Sequence, residues 1–313
     1  MVTRRDLMVG GTLLAASPAL AASDGSSHRS PSGGEPLRFG IVADPQYAPV
    51  APNLRSGRYY ADSLRKLRQA IGAFNAEDLS FVATLGDIID RHWDSFGDIM
   101  PVYDGLRHEA RFVLGNHDFD VAAQYLPSVV AAARMDAPWY DFLKGDTRFI
   151  VLDGNDISLF STPDGSERRA LAEERLARLR ETGASNAQGW NGSVGEAQMR
   201  WLDERLGAAD AAGERAIVLC HYPVFPQNDH NLWNSGEIVD LVLSHRSFAV
   251  WMNGHNHAGN YGELDKRHFV NFRGMVDTPD TSAYAIVTLQ ADRMEIAGFG
   301  REENRTLKLT AVT

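Results

Sequence analysis

Ala249-Val250-Trp251-Met252 runs straight into Asn253-Gly254-His255-Asn256-His257. The apolar run reads as a buried strand, and the glycine opens a loop that carries two histidines in alternation. Four other places in the chain share this construction. Leu37 to Ala43 ends at Asp44-Pro45-Gln46, and Phe81 to Leu85 ends at Gly86-Asp87-Ile88-Ile89-Asp90. Arg111 to Leu114 ends at Gly115-Asn116-His117-Asp118, and Ala216 to Cys220 ends at His221. Each polar cluster therefore lies at the C-terminal end of a strand, where active sites collect in open α/β sheets.

Helical periodicity fills the gaps. Tyr60, Leu64, Leu67, Ile71 and Phe74 recur on one face of residues 58–74, with Arg65, Lys66 and Arg68 off that face. Asp94 to Leu106, Ser166 to Glu181, Gly195 to Leu206 and Gly236 to Ser244 read as further helices, and Arg148 to Asp153 as a strand. His268–Phe272, Ala283–Leu289 and Met294–Ala297 read as a strand meander closing the sheet. The βαβαβ opening favours parallel strands with right-handed crossovers. The fold expected is α/β: two sheets packed face to face with helices outside.

The 313 residues, 44% hydrophobic and 23% charged, supply a large core. A formal net charge of −10 argues against a nucleic-acid partner, because no basic surplus exists to neutralise phosphates. Cys220 is the single cysteine, so no intramolecular disulfide forms. Residues 1–22 read as a signal peptide: Arg4-Arg5 opens a twin-arginine n-region, Leu7 to Leu20 is mildly apolar, and Ala19-Leu20-Ala21 supplies a cleavage pattern. A general secretory signal is the alternative. Residues 23–36, rich in Ser, Gly and Pro, read as a disordered leader, and residues 37–313 as one domain. Export, to the periplasm by the twin-arginine route, no membrane insertion after signal removal, and a monomer are expected.

The residue types at the five strand ends suit one chemistry. Two divalent ions held roughly 3.5–4 Å apart clamp a phosphoryl group and activate water at neutral pH. Asp87 is the candidate bridge. Asp44 and His257 complete a first metal, with Gln46 as an extra oxygen donor; Asn116, His221 and His255 complete a second. His117 is left to donate a proton to the leaving oxygen or to hold a phosphate oxygen. Asp118 either orients His117 or caps the following segment. Taken singly, each cluster is an ordinary turn, cap or core histidine; their joint occurrence carries the reading. Cys220 reads as a small buried hydrophobe.

At these residues the chain resembles the calcineurin-like metallophosphoesterases, whose blocks run D-x-H, GD-x-x-D, GNH-E/D, H and GHxH. The first block departs, with Gln46 where histidine is usual. In this it resembles the manganese-dependent ADP-ribose/CDP-alcohol diphosphatases, as do Trp190-Asn191-Gly192, His221-Tyr222-Pro223-Val224 and the stretch from His257 to Tyr261. The similarity spans about Leu37 to Leu289. It implies the αββα sandwich of two mixed sheets, the metal assignments above, and hydrolysis of a phosphoanhydride in a nucleoside diphosphate derivative. Replacing an imidazole by an amide oxygen hardens the first site, which favours Mn²⁺, with Mg²⁺, Fe²⁺ and Zn²⁺ as alternatives. Purple acid phosphatases place tyrosine where Asp90 stands, which argues against a tyrosinate-bound ferric ion. Arg58, Tyr47 and Tyr261 are candidate substrate contacts, Arg58 foremost because it precedes the first helix. A phosphodiesterase or phosphomonoesterase on other esters is the alternative, and a non-catalytic phosphate-binding protein a third.

Overall fold

The computed structural model describes residues 35–310. The expectations for the signal peptide and most of the leader lie outside the described residues. Two six-stranded mixed sheets form the centre. The first contains β1 (Leu37–Val42), β2 (Val82–Leu85), β3 (Ala110–Val113), β10 (Ala283–Leu289), β11 (Arg293–Gly300) and β12 (Arg305–Lys308), in the order β12-β11-β10-β1-β2-β3. The second contains β4 (Tyr140–Lys144), β5 (Thr147–Val151), β6 (Arg215–Leu219), β7 (Phe248–Asn253), β8 (Asn260–Leu264) and β9 (Arg267–Asn271), in the order β4-β5-β6-β7-β9-β8. Strands β1-β2-β3 and β5-β6-β7-β9 are parallel, with antiparallel partners outside them.

Strand alternation divides the apolar residues between two layers. Phe39 and Ile41 of β1 meet Phe149, Ile217, Val250 and Val270 between the sheets. Phe39 stacks on Phe81 with ring centroids 4.9 Å apart, and Phe149 meets Phe81 edge-on at 4.9 Å. The opposite faces take helices. Leu67, Ala70, Ile71 and Phe74 of α1 (Ser63–Asn75) pack with Val42, Val82 and Phe112. Leu202, Leu206 and Ala209 of α5 (Glu196–Ala212) pack with Val218 and Trp251, as do Ile238 and Val242 of α6 (Ser235–Leu243). Burial on both faces is why the parallel strands read as unbroken apolar runs. Three further helices, α2 (Asp94–Ile99), α3 (Val129–Ala132) and the surface helix α4 (Glu167–Glu181), complete the described α-helices. Among the described residues, no helix is long and apolar enough to cross a membrane.

Three expectations require correction. The helix foreseen over residues 94–106 stops at Ile99 and continues as a 3-10 segment, Met100–Gly105, where Pro101 lacks an N–H. Helix α5 runs on past Leu206 to Ala212 and ends at left-handed Gly213. The meander is divided between the sheets. Strand β9 pairs in parallel with β7, and only β10, β11 and β12 form a meander. The cause is the hairpin β8-β9, whose turn residues Asp265 and Lys266 have φ of 50° and 61°. A turn of this kind normally announces itself by glycine.

One buried cation fastens the segment after β9 beneath the strand ends. Lys66 of α1 is fully buried, and its Nζ donates to the carbonyls of Met275 at 2.5 Å, Thr278 at 3.0 Å and Asp277 at 3.3 Å. Burial lowers its pKa to about 8, against the pull of Asp62 and Asp277. The unfolded chain then binds more protons than the folded one between pH 8 and the ordinary lysine value, so this group adds stability as pH rises through that window. Lys66→Met should cost about 1–3 kcal/mol by leaving carbonyls unpartnered. Its deficit against wild type should widen from pH 8 to pH 10, as read by urea denaturation.

Candidate metal centre

The parallel strands of both sheets deliver their C-terminal ends to one edge of the sandwich, and backbone hydrogen bonds lock the loops together there. The Gln46 N–H donates to the Asp87 carbonyl at 2.7 Å, and the Gly254 N–H to the His221 carbonyl at 3.0 Å. The sheets are joined where His221 Nδ1 meets the carbonyl of Leu85 at 2.8 Å, and where the His255 N–H reaches Asp44 Oδ1 at 3.1 Å. Asp44, Gln46, Asp87 and His255 all hold left-handed backbone, with φ of 47°, 47°, 49° and 67°. Strain of this kind in non-glycine residues costs about 1–3 kcal/mol each and collects at functional sites. The glycines beside them are required by space: a Cβ on Gly115 would lie 2.2 Å from Asp87 Oδ1, and one on Gly254 2.5 Å from Asp44 Oδ2.

Seven candidate ligands were expected, and six of them converge by direct contact. Around His221 Nε2 lie His255 Nδ1 at 3.1 Å, Asn116 Oδ1 at 3.3 Å and Asp87 Oδ2 at 3.4 Å. On the other side His257 Nε2 lies 3.6 Å from Asp44 Oδ1. Asp87, His221 and His255 offer ligand atoms within 4.8 Å of one another, as do Asp44, Asp87 and His257. Asp87 is common to both groups, the position a bridge requires.

The tautomers follow from the outer hydrogen bonds. His221 Nδ1 faces a carbonyl, so it carries the proton and leaves Nε2 a lone pair. His255 Nε2 faces Asn191 Oδ1 at 2.9 Å, and Asn191 is oriented because its Nδ2 donates to the carbonyls of Asn186 and Asp229. His255 Nδ1 is therefore a lone pair too. Burial, reinforced by His221, holds the His255 pKa well below the usual value and keeps it neutral. Lone pairs of two imidazoles, an amide and a carboxylate thus meet with no proton between them. Only a cation at their focus resolves the repulsion: a divalent ion, or a proton on His221. Gln46 distinguishes the two. It is fully buried, and neither its Oε1 nor its Nε2 has a hydrogen-bond partner. A proton on His221 does nothing for that amide, whereas a metal ion beside Asp44 accepts its oxygen. The donor set fits divalent metal.

His117 stands at the rim, about a quarter exposed. Its N–H donates to Asp87 Oδ1 at 2.9 Å. Its Nδ1 faces the Asp90 carbonyl at 3.0 Å and Asp90 Oδ1 at 3.3 Å, leaving Nε2 free. Asp90 is thus the residue that orients His117, and Asp118 is not. The buried Asp118 carboxylate accepts from the N–H groups of Ile89 at 3.1 Å and Gly115 at 2.9 Å, tying two loops together. Tyr47 is also corrected: its ring lies in the core with Leu67 and Phe96, and its hydroxyl donates to Asp98 at 3.0 Å. Arg58 is half-buried and pairs through its backbone with Asp277, beside His257. Tyr261 is brought to a different place, a cavity of about 450 Å³ shared with Arg273 and Arg305, with its hydroxyl 3.0 Å from His268 Nδ1.

Other residues around the centre were not singled out for these roles from the sequence. Besides Asn191, Tyr222 packs its ring edge-on against His221 and His255, with centroids 4.9 and 4.5 Å away. Its hydroxyl donates to Asn155 Oδ1 at 2.6 Å, and Asn155 Nδ2 donates to the Leu114 carbonyl at 2.9 Å, just before Gly115. Asp277 Oδ1 lies 2.9 Å from His257 Nδ1. The signal for Asn191 and Tyr222 was their place in stretches already similar to one subgroup; Asp277 gave none.

Metal must compete with a proton here. Burial opposes charge on His221, but Asp87 and then Asp44 outweigh it and raise its pKa to about 9. Mn²⁺ binding near pH 7 should therefore release about one proton from this group, and apparent affinity should rise with pH toward 9. Calorimetry in buffers of different ionisation enthalpy measures the release; none would mean that His221 is neutral before metal binds.

Comparison with known proteins agrees with this geometry. The calcineurin-like phosphoesterase profile matches residues 37–259. The manganese-dependent ADP-ribose/CDP-alcohol diphosphatase of Mus musculus is 28% identical, covering 87% of this chain and 94% of its own. The Arabidopsis thaliana protein of the same name is 26% identical, covering 90% and 98%. A dimetal phosphatase from Danio rerio superposes with a TM-score of 0.79 at 27% identity, covering 88% of this chain and 99% of its own. With its sandwich, its strand-end loops and a profile that spans most of the described residues, the chain belongs to the calcineurin-like phosphoesterase family and is a metal-dependent phosphohydrolase.

Proposed function

We propose that the protein is a Mn²⁺-dependent diphosphohydrolase with two ions. It cleaves the phosphoanhydride of an ADP-ribose-like or CDP-alcohol-like substrate to a nucleoside monophosphate and a second phosphate ester. The observation that carries this reading is Gln46, a buried amide with no partner in the D-x-Q block. A harder donor set on that side favours Mn²⁺ over Zn²⁺. The names of the Mus musculus and Arabidopsis thaliana relatives supply the substrate class.

Asp44, Gln46, Asp87 and His257 would hold one ion, and Asp87, Asn116, His221 and His255 the other. Bound there, the ions would polarise the phosphoryl oxygens and lower the pKa of water. The chain's own residues do the rest. Asp90 holds the Nδ1 proton of His117 and fixes the ring, so Nε2 is turned outward, where it would act as general acid toward the departing phosphate oxygen. The backbone bond from His117 to Asp87 fixes the distance from that proton to the bridge. Arg58 would steady the second phosphate; its backbone bridge to Asp277 sets it near His257. The twin-arginine leader would put this activity outside the cytoplasm.

His117→Ala should lower kcat by about 10²–10⁴ while bound Mn²⁺ is unchanged. Loss of metal instead would remove His117 from the proton-donor role. Asp90→Asn should show a smaller loss of the same kind. The substrate assignment is tested with metal-stripped protein reloaded with Mn²⁺, Mg²⁺ or Zn²⁺. ADP-ribose, CDP-choline, cyclic AMP, bis-p-nitrophenyl phosphate and p-nitrophenyl phosphate form the panel. AMP or CMP produced with Mn²⁺ is expected; preference for the cyclic nucleotide or the nitrophenyl esters would overturn the diphosphatase reading.

A further inference from the structure

The two histidines of the Gly254 loop are backed by chemically different groups. His255 gives its outer N–H to Asn191, a neutral amide held by two backbone carbonyls. His257 gives its Nδ1–H to Asp277 Oδ1 at 2.9 Å, and the other oxygen of Asp277 accepts from Arg301 at 3.2 Å. A carboxylate behind an imidazole makes the opposite nitrogen a stronger donor and fixes the ring plane; an amide fixes the plane alone.

The segment that carries Asp277 is built to keep it there. The Met275 and Val276 N–H groups donate to the carbonyls of Ala43 and Asp44 at 2.9 and 3.0 Å, so the strap is paired to the strand end that supplies Asp44. Lys66 gathers the carbonyls of Met275, Asp277 and Thr278 from below. Thr278 takes left-handed backbone, with φ of 64°, to turn the strap away. Gly274 lies flat on the His257 ring, where a Cβ would come within 2.6 Å of the imidazole. One strap therefore fixes the positions of Asp44 and of the carboxylate behind His257.

We propose that Asp277 is a positioning residue that sets the metal affinity of the Asp44–Gln46–His257 side through His257, and leaves the His221–His255 side untouched. The inference rests on the two-ion reading above. It is tested by Mn²⁺ titration of the metal-stripped full chain, followed by calorimetry and by electron paramagnetic resonance of bound Mn²⁺. Wild type should bind two ions. Asp277→Asn keeps shape and removes charge, and should weaken one of the two by about 10–100-fold with the other unchanged. Asp277→Glu, which restores the carboxylate, should recover most of that loss. Asp277→Ser, lacking both charge and amide, serves as a second variant should Asp277→Asn not fold, with the same weakening expected. Two ions in wild type and unchanged affinities in the Asn and Ser variants would overturn the role of Asp277 and leave the two-ion reading standing. Equal weakening of both ions would also overturn it. A wild type that binds a single ion would overturn the two-ion reading, and this inference with it.

Discussion

Buried lone pairs that meet at one focus, and need a cation there, are the constraint on which this structure turns. Asp87, Asn116, His221 and His255 point at one focus, and the outer hydrogen bonds of the two histidines turn their own ring protons away from it, so a divalent ion or an added proton on His221 must fill it. Left alone, such an arrangement is costly, because buried charge and unpaired polar groups are destabilising. A polar cluster of this kind survives only where the surrounding fold over-determines it. The Phe39, Phe81 and Phe149 stack and the helices packed on both outer faces supply that rigidity. The backbone at Asp44, Gln46, Asp87 and His255 bears the strain.

The two-sheet architecture is what lets five loops reach one point. Strands β1, β2 and β3 bring carboxylates and amides, and β6 and β7 bring imidazoles. Neither sheet alone carries a complete donor set. Their junction must therefore be accurate, and it is made by side chains that are themselves donors: His221 reaches across to Leu85, and the His255 backbone reaches Asp44. Metal binding and sheet docking use the same residues, so filling the centre stabilises the sandwich by mass action as well as enabling chemistry.

Most of this was legible because the chemistry-bearing residues follow apolar runs directly. Asp44, Asp87, Asn116, His221 and the Gly254 loop each sit one to three residues past a strand, and both the strand and its polar end are visible locally. What the sequence hid depends on contacts between distant segments. Asp277 reaches His257 across twenty residues, and Asn191 reaches His255 across sixty-four. No local pattern announces Asp277, and the stretch around Asn191 shows a similarity to one subgroup without showing this contact. Asp118 was misread for a related reason: adjacency to His117 suggested contact, but the 3-10 turn His117–Phe119 sends Asp118 back toward Gly115 and Ile89. Tyr47 was misread because nearness to a motif in sequence does not fix the face on which a side chain emerges. The edge strands β4, β8 and β12 were missed since they are short and half-polar, as strands exposed on one side must be.

The division between buried and exposed groups separates holding from reacting. Asp44, Gln46, Asp87 and His221 are sealed from water, where electrostatic interactions are strong and geometry is fixed. His117 is the ring at the rim, and it is tied to the sealed layer twice, by its backbone to Asp87 and by its imidazole to Asp90. Exposure lets its Nε2 meet a substrate that arrives from solvent; the double tether keeps that nitrogen from wandering as the substrate comes and goes. For the proton-donor role proposed for His117, a free loop would lose that positioning, and burial with the ligands would draw the ring into the cation's coordination. Placing His117 next to Asn116 on one turn satisfies both demands: one residue faces the buried donors, and its neighbour faces out.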